Sequence, residues 1–221
     1  MKPVNSLFAA AALVALGAAA AKAAGVEILN EGFGNVSGLT GWTQLNNSVP
    51  AGTGWFQGNT GLFSARSGAA DAYVGANFLG AAGGSGTVDN WLITPILELS
   101  GTTVLSFFTR NAAEPGFNDV LEVRFSPGAG LDPAGFSTVL TTVGGTGGYP
   151  DDWKEICATL TACGSGRIAF RYAGPADTLS YVGLDSVSVV TAVPAPSTWA
   201  MLGMGLGLVG LLGLLRRKLQ A

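Results

Sequence analysis

Two carboxylates stand where strand geometry would make them chemically consequential. Glu31 alternates in phase with Leu29 and Phe33, and Asp185 with Val187 and Val189. If both segments are strands with apolar faces inward, both acids point toward the interior or its rim, where a bare charge is costly. Hard oxygen ligands around Ca²⁺ would resolve that cost. A turn cap at Asp185 and an arginine partner for Glu31 would resolve it as well.

Two thiols come next. Cys157 and Cys163 flank residues 158–162. In an exported chain, an even pair beside turn residues reads as a disulfide closing a small loop, worth on the order of 2–3 kcal/mol through chain entropy. A thiol metal site is disfavoured, because the chain has no histidine and no third cysteine.

The missing histidine also removes the commonest general base and nucleophile activator. The cluster Gly144-Gly-Thr-Gly-Gly148 lacks the lysine of a phosphate loop and reads as a turn. Asp119, Glu122, Asp151 and Asp152 could converge on one rim as a glycosidase carboxylate pair, although surface acids more often serve solvation. Of Trp42, Trp55, Trp91 and Trp153, any one exposed on a loop could stack on a sugar. Trp91 and Trp153 read as core, and Trp55, in Thr53-Gly-Trp-Phe-Gln57, is the one expected at the surface.

The elements that must position these groups are short strands. Period-two alternation marks 26–33, 71–75, 102–110, 119–126, 138–143, 167–172 and 181–190, with a stretch at 89–99 interrupted by Pro95. Leu121, Val123 and Phe125 share an inward face. So do Ile168, Phe170 and Tyr172, with Arg167 and Arg171 outward. Segments 153–160 and 167–172 are expected to flank the cysteines as a hairpin. Some nine strands at this spacing imply an all-β fold, an antiparallel β-sandwich.

Both termini address the chain to a membrane. Residues 1–23 read as a signal peptide, with Lys2 in front of an apolar core and Ala21-Lys-Ala23 as the cleavage site. Residues 24–191 form the domain, and 192–221 the anchor. From Trp199 to Leu215 there are 17 residues without charge, closed by Arg216, Arg217 and Lys218. At about 1.5 Å per residue this single C-terminal helix just spans a thin hydrocarbon core, with the cations kept cytoplasmic. The exported part carries six cations against all 14 acids, a net charge of −8. That balance repels nucleic acid and anionic lipid.

The tail Val193-Pro194-Ala195-Pro196-Ser197-Thr198-Trp199, followed by a Gly/Leu run and basic residues, resembles the PEP-CTERM sorting signal of exported bacterial proteins. The resemblance implies processing by an exosortase-type membrane enzyme. Ala195 replaces the family's central glutamate, so insertion is more firmly implied than processing.

The domain resembles the choice-of-anchor J group, itself similar to cleaved-adhesin and MAM modules. The resemblance rests on Asn30-Glu-Gly-Phe33 with Gly41-Trp42, Asp89-Asn-Trp-Leu-Ile-Thr-Pro95, Leu105-Ser-Phe-Phe108, Ile168-Ala-Phe-Arg-Tyr172 and Val182-Gly-Leu-Asp-Ser-Val-Ser-Val189. It implies a jelly-roll sandwich of the galactose-binding type. It also implies a structural Ca²⁺ held by Glu31 and Asp185, with Asp71 a third ligand. The expected function is a non-enzymatic, membrane-tethered cell-surface protein with an adhesive or matrix-structural role near extracellular polysaccharide. A carbohydrate-binding module is the alternative, and a hydrolase a distant third.

Overall fold

Alternating apolar residues build ten strands in the computed structural model, which describes residues 25–193. They are β1 (Gly25–Glu31), β2 (Thr43–Asn46), β3 (Phe56–Gln57), β4 (Val74–Asn77), β5 (Thr87–Ile93), β6 (Leu97–Asn111), β7 (Val120–Pro127), β8 (Thr138–Gly144), β9 (Lys154–Pro175) and β10 (Tyr181–Ala192). Short 3-10 turns are the only helical pieces among the described residues, and none of their helices is long and apolar enough to cross a membrane. The expected signal peptide at 1–23, Pro194 to Trp199, the apolar run and Arg216, Arg217 and Lys218 lie outside the described residues.

Every pairing is antiparallel. The longest strand, β9, belongs to both layers. Its first part runs in an unbroken ladder with β6, from Thr109↔Lys154 to Leu97↔Gly166. Its last part lies between β5 and β7. One layer is therefore the first part of β9, then β6, then β10, with β1 and β4 sharing β10's far edge. The other runs β2, β5, the end of β9, β7 and β8.

The layers face each other as a jelly-roll-like sandwich. Leu105, Phe107, Val187 and Val189 project from the first layer, and Leu92, Leu121, Val123, Ile168 and Phe170 from the second, all fully buried in one cluster. Phe107 meets Phe170 edge-on, with ring centroids 5.2 Å apart, tying layer to layer. The inward phase expected for Leu121, Val123, Phe125, Ile168, Phe170 and Tyr172 is observed.

Three local expectations are corrected. Residues 153–172 are no hairpin: Lys154–Pro175 is one strand whose ladder with β6 continues through Gly164, which adopts φ +86. Arg167 keeps the outward face it shares with Ala169 and Arg171, but it is covered there instead of solvated: it is 9% exposed and donates to the carbonyls of Thr94 and Ala129. The segments at 96–99 and 102–110 are one strand, β6.

Candidate functional site

Asp185 owes its position to a bulge in β10. The register passes from Asp185↔Phe108 to Ser188↔Ser106, so one extra residue is inserted, and Ser186 takes φ +51. Directly opposed residues share a face, which puts Asp185 beside Phe108 on the outer surface of its layer, while Val187 and Val189 point inward. The bulge thus inverts the phase that simple alternation assigns to Asp185.

The carboxylate is nevertheless fully buried, because a loop closes over it. The backbone N–H groups of Arg66 and Ser67 donate to Oδ2 at 2.9 and 3.1 Å, and the Ser186 hydroxyl donates to Oδ1 at 3.1 Å. Burial pushes the acid up from its ordinary range, against the pull of these hydrogen bonds. The guanidinium of Arg66 lies 3.7 Å from the ring centre of Phe108.

The other two expected calcium ligands stand elsewhere. Glu31 is opposite Val187, hence on the inward face at the end of β1, and its Oε1 accepts the N–H of Phe33 at 2.7 Å. Asp71 is exposed. Its backbone carbonyl, not its side chain, accepts from Gln57 Nε2 at 2.6 Å. The same amide also donates to the Phe33 carbonyl at 2.9 Å and accepts from Val36 at 2.9 Å, so Gln57 joins three segments. Among the described residues no three acids or cysteines converge. The set Glu31, Asp71 and Asp185 does not fit a shared Ca²⁺: two of the acids face opposite sides of the layer, and protein donors already compensate Asp185. Neither the bulge nor the Gln57 amide has a sequence signal.

The thiols do not bridge within the chain. Cys157 and Cys163 are free, exposed and on the same strand, opposite Ser106 and Ser100 of β6. Six strand residues at about 3.3 Å each separate them by roughly 20 Å, whereas a disulfide needs Cα atoms about 4.4–6.8 Å apart. The expected loop-closing disulfide depended on the hairpin that does not form.

The four acids weighed for glycoside hydrolysis are each taken up by protein donors or left at the rim, with Asp151 and Asp152 sharing Arg110. Asp119 is 1% exposed and accepts from the Tyr172 hydroxyl, from the Ser180 N–H at 2.9 Å and from Asn111 Nδ2 at 3.2 Å. Burial holds its carboxyl above the ordinary range despite these bonds. Glu122 accepts from Arg124 at 2.8 Å and Arg171 at 2.9 Å. Burial raises Glu122, but the two arginines outweigh it and leave the acid low. Asp152 meets Arg110 at 3.2 Å, and Asp151 offers Arg110 its carbonyl.

Trp55 is 4% exposed and belongs to the main core, so the expected stacking surface there is absent. Trp42 packs edge-on against Phe33 at 5.5 Å, and Trp91 is buried under Arg171. Trp153 packs on Phe63 and Tyr73 and donates to the Ser64 carbonyl at 2.9 Å. Open concavity lies beside Trp153 instead. A cleft of about 410 Å³ is lined by residues 147–154, with Asp151, Asp152 and Lys154 on its rim. A smaller one of about 230 Å³, lined by Thr141, Thr142 and Ile156, lies along the same side.

Residues 192–218 match the PEP-CTERM protein-sorting motif, the mark of an exported protein sorted to the cell surface. In three dimensions the chain is similar to two cleaved adhesin domains of Lys-gingipain from Porphyromonas gingivalis. With the K3 domain it shares 24% identity at a TM-score of 0.60, covering 76% of this chain and all of that one. With the K1 domain it shares 25% identity at a TM-score of 0.58, covering 75% of this chain and 98% of the other. No curated protein matches the chain in sequence.

Proposed function

We propose that this chain is a membrane-tethered, non-enzymatic cell-surface module whose sandwich, a jelly roll of the galactose-binding type, has an adhesive or matrix-structural role. The carrying observation is the joining of a PEP-CTERM motif at 192–218 to a sandwich similar to cleaved adhesin domains. In this reading the run from Trp199 to Leu215 spans the membrane, Arg216, Arg217 and Lys218 stay cytoplasmic, and an exosortase-type enzyme acts near Pro194-Ala195-Pro196. The carboxylates of Asp119 and Glu122 are occupied by hydroxyl, amide and arginine donors, and that of Asp152 by Arg110, which supports binding over hydrolysis.

A carbohydrate ligand is the second reading, favoured by the polar cleft beside Trp153. Cells producing the full chain are compared with cells producing a chain lacking residues 192–218, for surface exposure and attachment to extracellular polysaccharide. Surface display and attachment lost together on truncation support the reading. Attachment unchanged by truncation sinks the tethered role. Binding of one glycan class, lost on changing Asp151 and Lys154, favours the second reading.

A further inference from the structure

The first part of β9 is an open edge. Its pairing with β6 occupies one side, and β7 reaches the other side only from Gly166 onward. Among the described residues no strand pairs with the outer side of 157–163. Nothing in that stretch carries a charge, and it contains no proline, so it lacks the usual guards of an exposed edge.

Cys157, Thr159, Thr161 and Cys163 are exposed on one face of this edge, while Ala158 and Leu160 are buried on the other. The two thiols are equidistant from Leu160. If a second copy lies antiparallel along the edge with Leu160 opposite Leu160, Cys157 of each chain stands opposite Cys163 of the other. Thr159 then meets Thr161, and Ala158 meets Ala162, with no like charges opposed. Opposed Cα atoms in antiparallel strands are about 4.5–5.5 Å apart, inside the disulfide range of about 4.4–6.8 Å. A one-residue slip would turn one copy's thiols to the opposite face, so the register is specific.

We propose that β9 pairs edge to edge with a second copy of this chain, locked by two interchain disulfides between Cys157 and Cys163. For each bond, two thiols give up two protons and two electrons to a disulfide oxidant, protein-borne or low-molecular-weight, which becomes two thiols. Such oxidants act in exported compartments. Oxidised glutathione supplies the same chemistry to extracted protein, so the dimer is testable whether or not the sorting reading holds.

The test uses the full chain, alkylated at extraction and run on non-reducing gels. The wild type is expected at dimer mass, collapsing to monomer with reductant. Cys157→Ser and Cys163→Ser each leave every remaining thiol opposite a serine, so each alone runs as monomer. Co-produced with different tags, the two variants recover a mixed dimer through one bond. Both positions are exposed, and the doubly substituted chain, compared in yield and melting with wild type, checks that folding is intact. A wild type that stays monomeric with two alkylated thiols, or is bridged within one chain, overturns the proposal. So do covalent dimers of either single variant, or the absence of the mixed dimer.

Discussion

Asp185 and Phe108 stand directly opposite each other on β10 and β6, and one loop residue engages both. The Arg66 N–H donates to the carboxylate at 2.9 Å while its guanidinium lies over the ring at 3.7 Å. The loop is thus clamped to the outside of the sandwich by a buried charge and an aromatic face, not by the central core.

Asp185→Ala should therefore cost about 2–4 kcal/mol, because two backbone N–H groups and a hydroxyl lose their acceptor in a buried setting. Arg66→Ala keeps the backbone donor and loses only a solvent-accessible cation–π contact, so about 0.5–1 kcal/mol is expected. Urea unfolding measures both, and equal losses would show that the carboxylate is not the clamp.

Calcium should leave the melting temperature unmoved, as should EDTA. Protein donors already serve Asp185, and Glu31 sits on the opposite face. Calorimetry should detect no calcium uptake at these acids. A calcium-dependent rise of several degrees that disappears in Glu31→Gln would restore the shared site. Glu31→Gln is the cleaner probe, since Asp185→Asn disturbs hydrogen bonds whatever the cation does.

Acid should favour the fold through Asp119. Burial raises its folded pKa above the ordinary 3.8, against the pull of its hydrogen bonds. The folded state therefore holds this proton more tightly than the unfolded chain. The resulting stability is fully present below the ordinary value and is lost as pH rises through the raised one. Asp119→Asn abolishes that term and turns an NH₂ toward Asn111, at a cost of roughly 1–3 kcal/mol. Its deficit against wild type should widen as pH is lowered from 7 toward 4. A deficit that shrinks on acidification would refute the assignment.

Phe107→Ala should cost about 3–5 kcal/mol, because it empties the contact that joins the layers. A double-mutant cycle with Phe170→Ala should show coupling of about 0.5–1.5 kcal/mol beyond area burial. Additive losses would mean that the two rings stabilise their own layers independently.

Alternation along the chain was enough to place Leu121, Val123 and Phe125 and Ile168, Phe170 and Tyr172 on inward faces, because the strand pleat is a local property. The sorting motif was equally legible, since its parts are contiguous and depend on residue type alone. Asp185 was misread because a single extra residue near Ser186 reverses the phase, and only the neighbouring β6 register reveals it. The run from Thr161 through Gly166 looked like a turn, yet β6 offers a partner to every residue there, so pairing with this distant strand carries β9 on through Gly164. Local residue types determined which side chains could be buried. Which strands pair, where a bulge falls and which edge stays open were decided by partners distant in sequence. The same decision separated the acids expected to share a cation and left two thiols unable to reach each other within one chain.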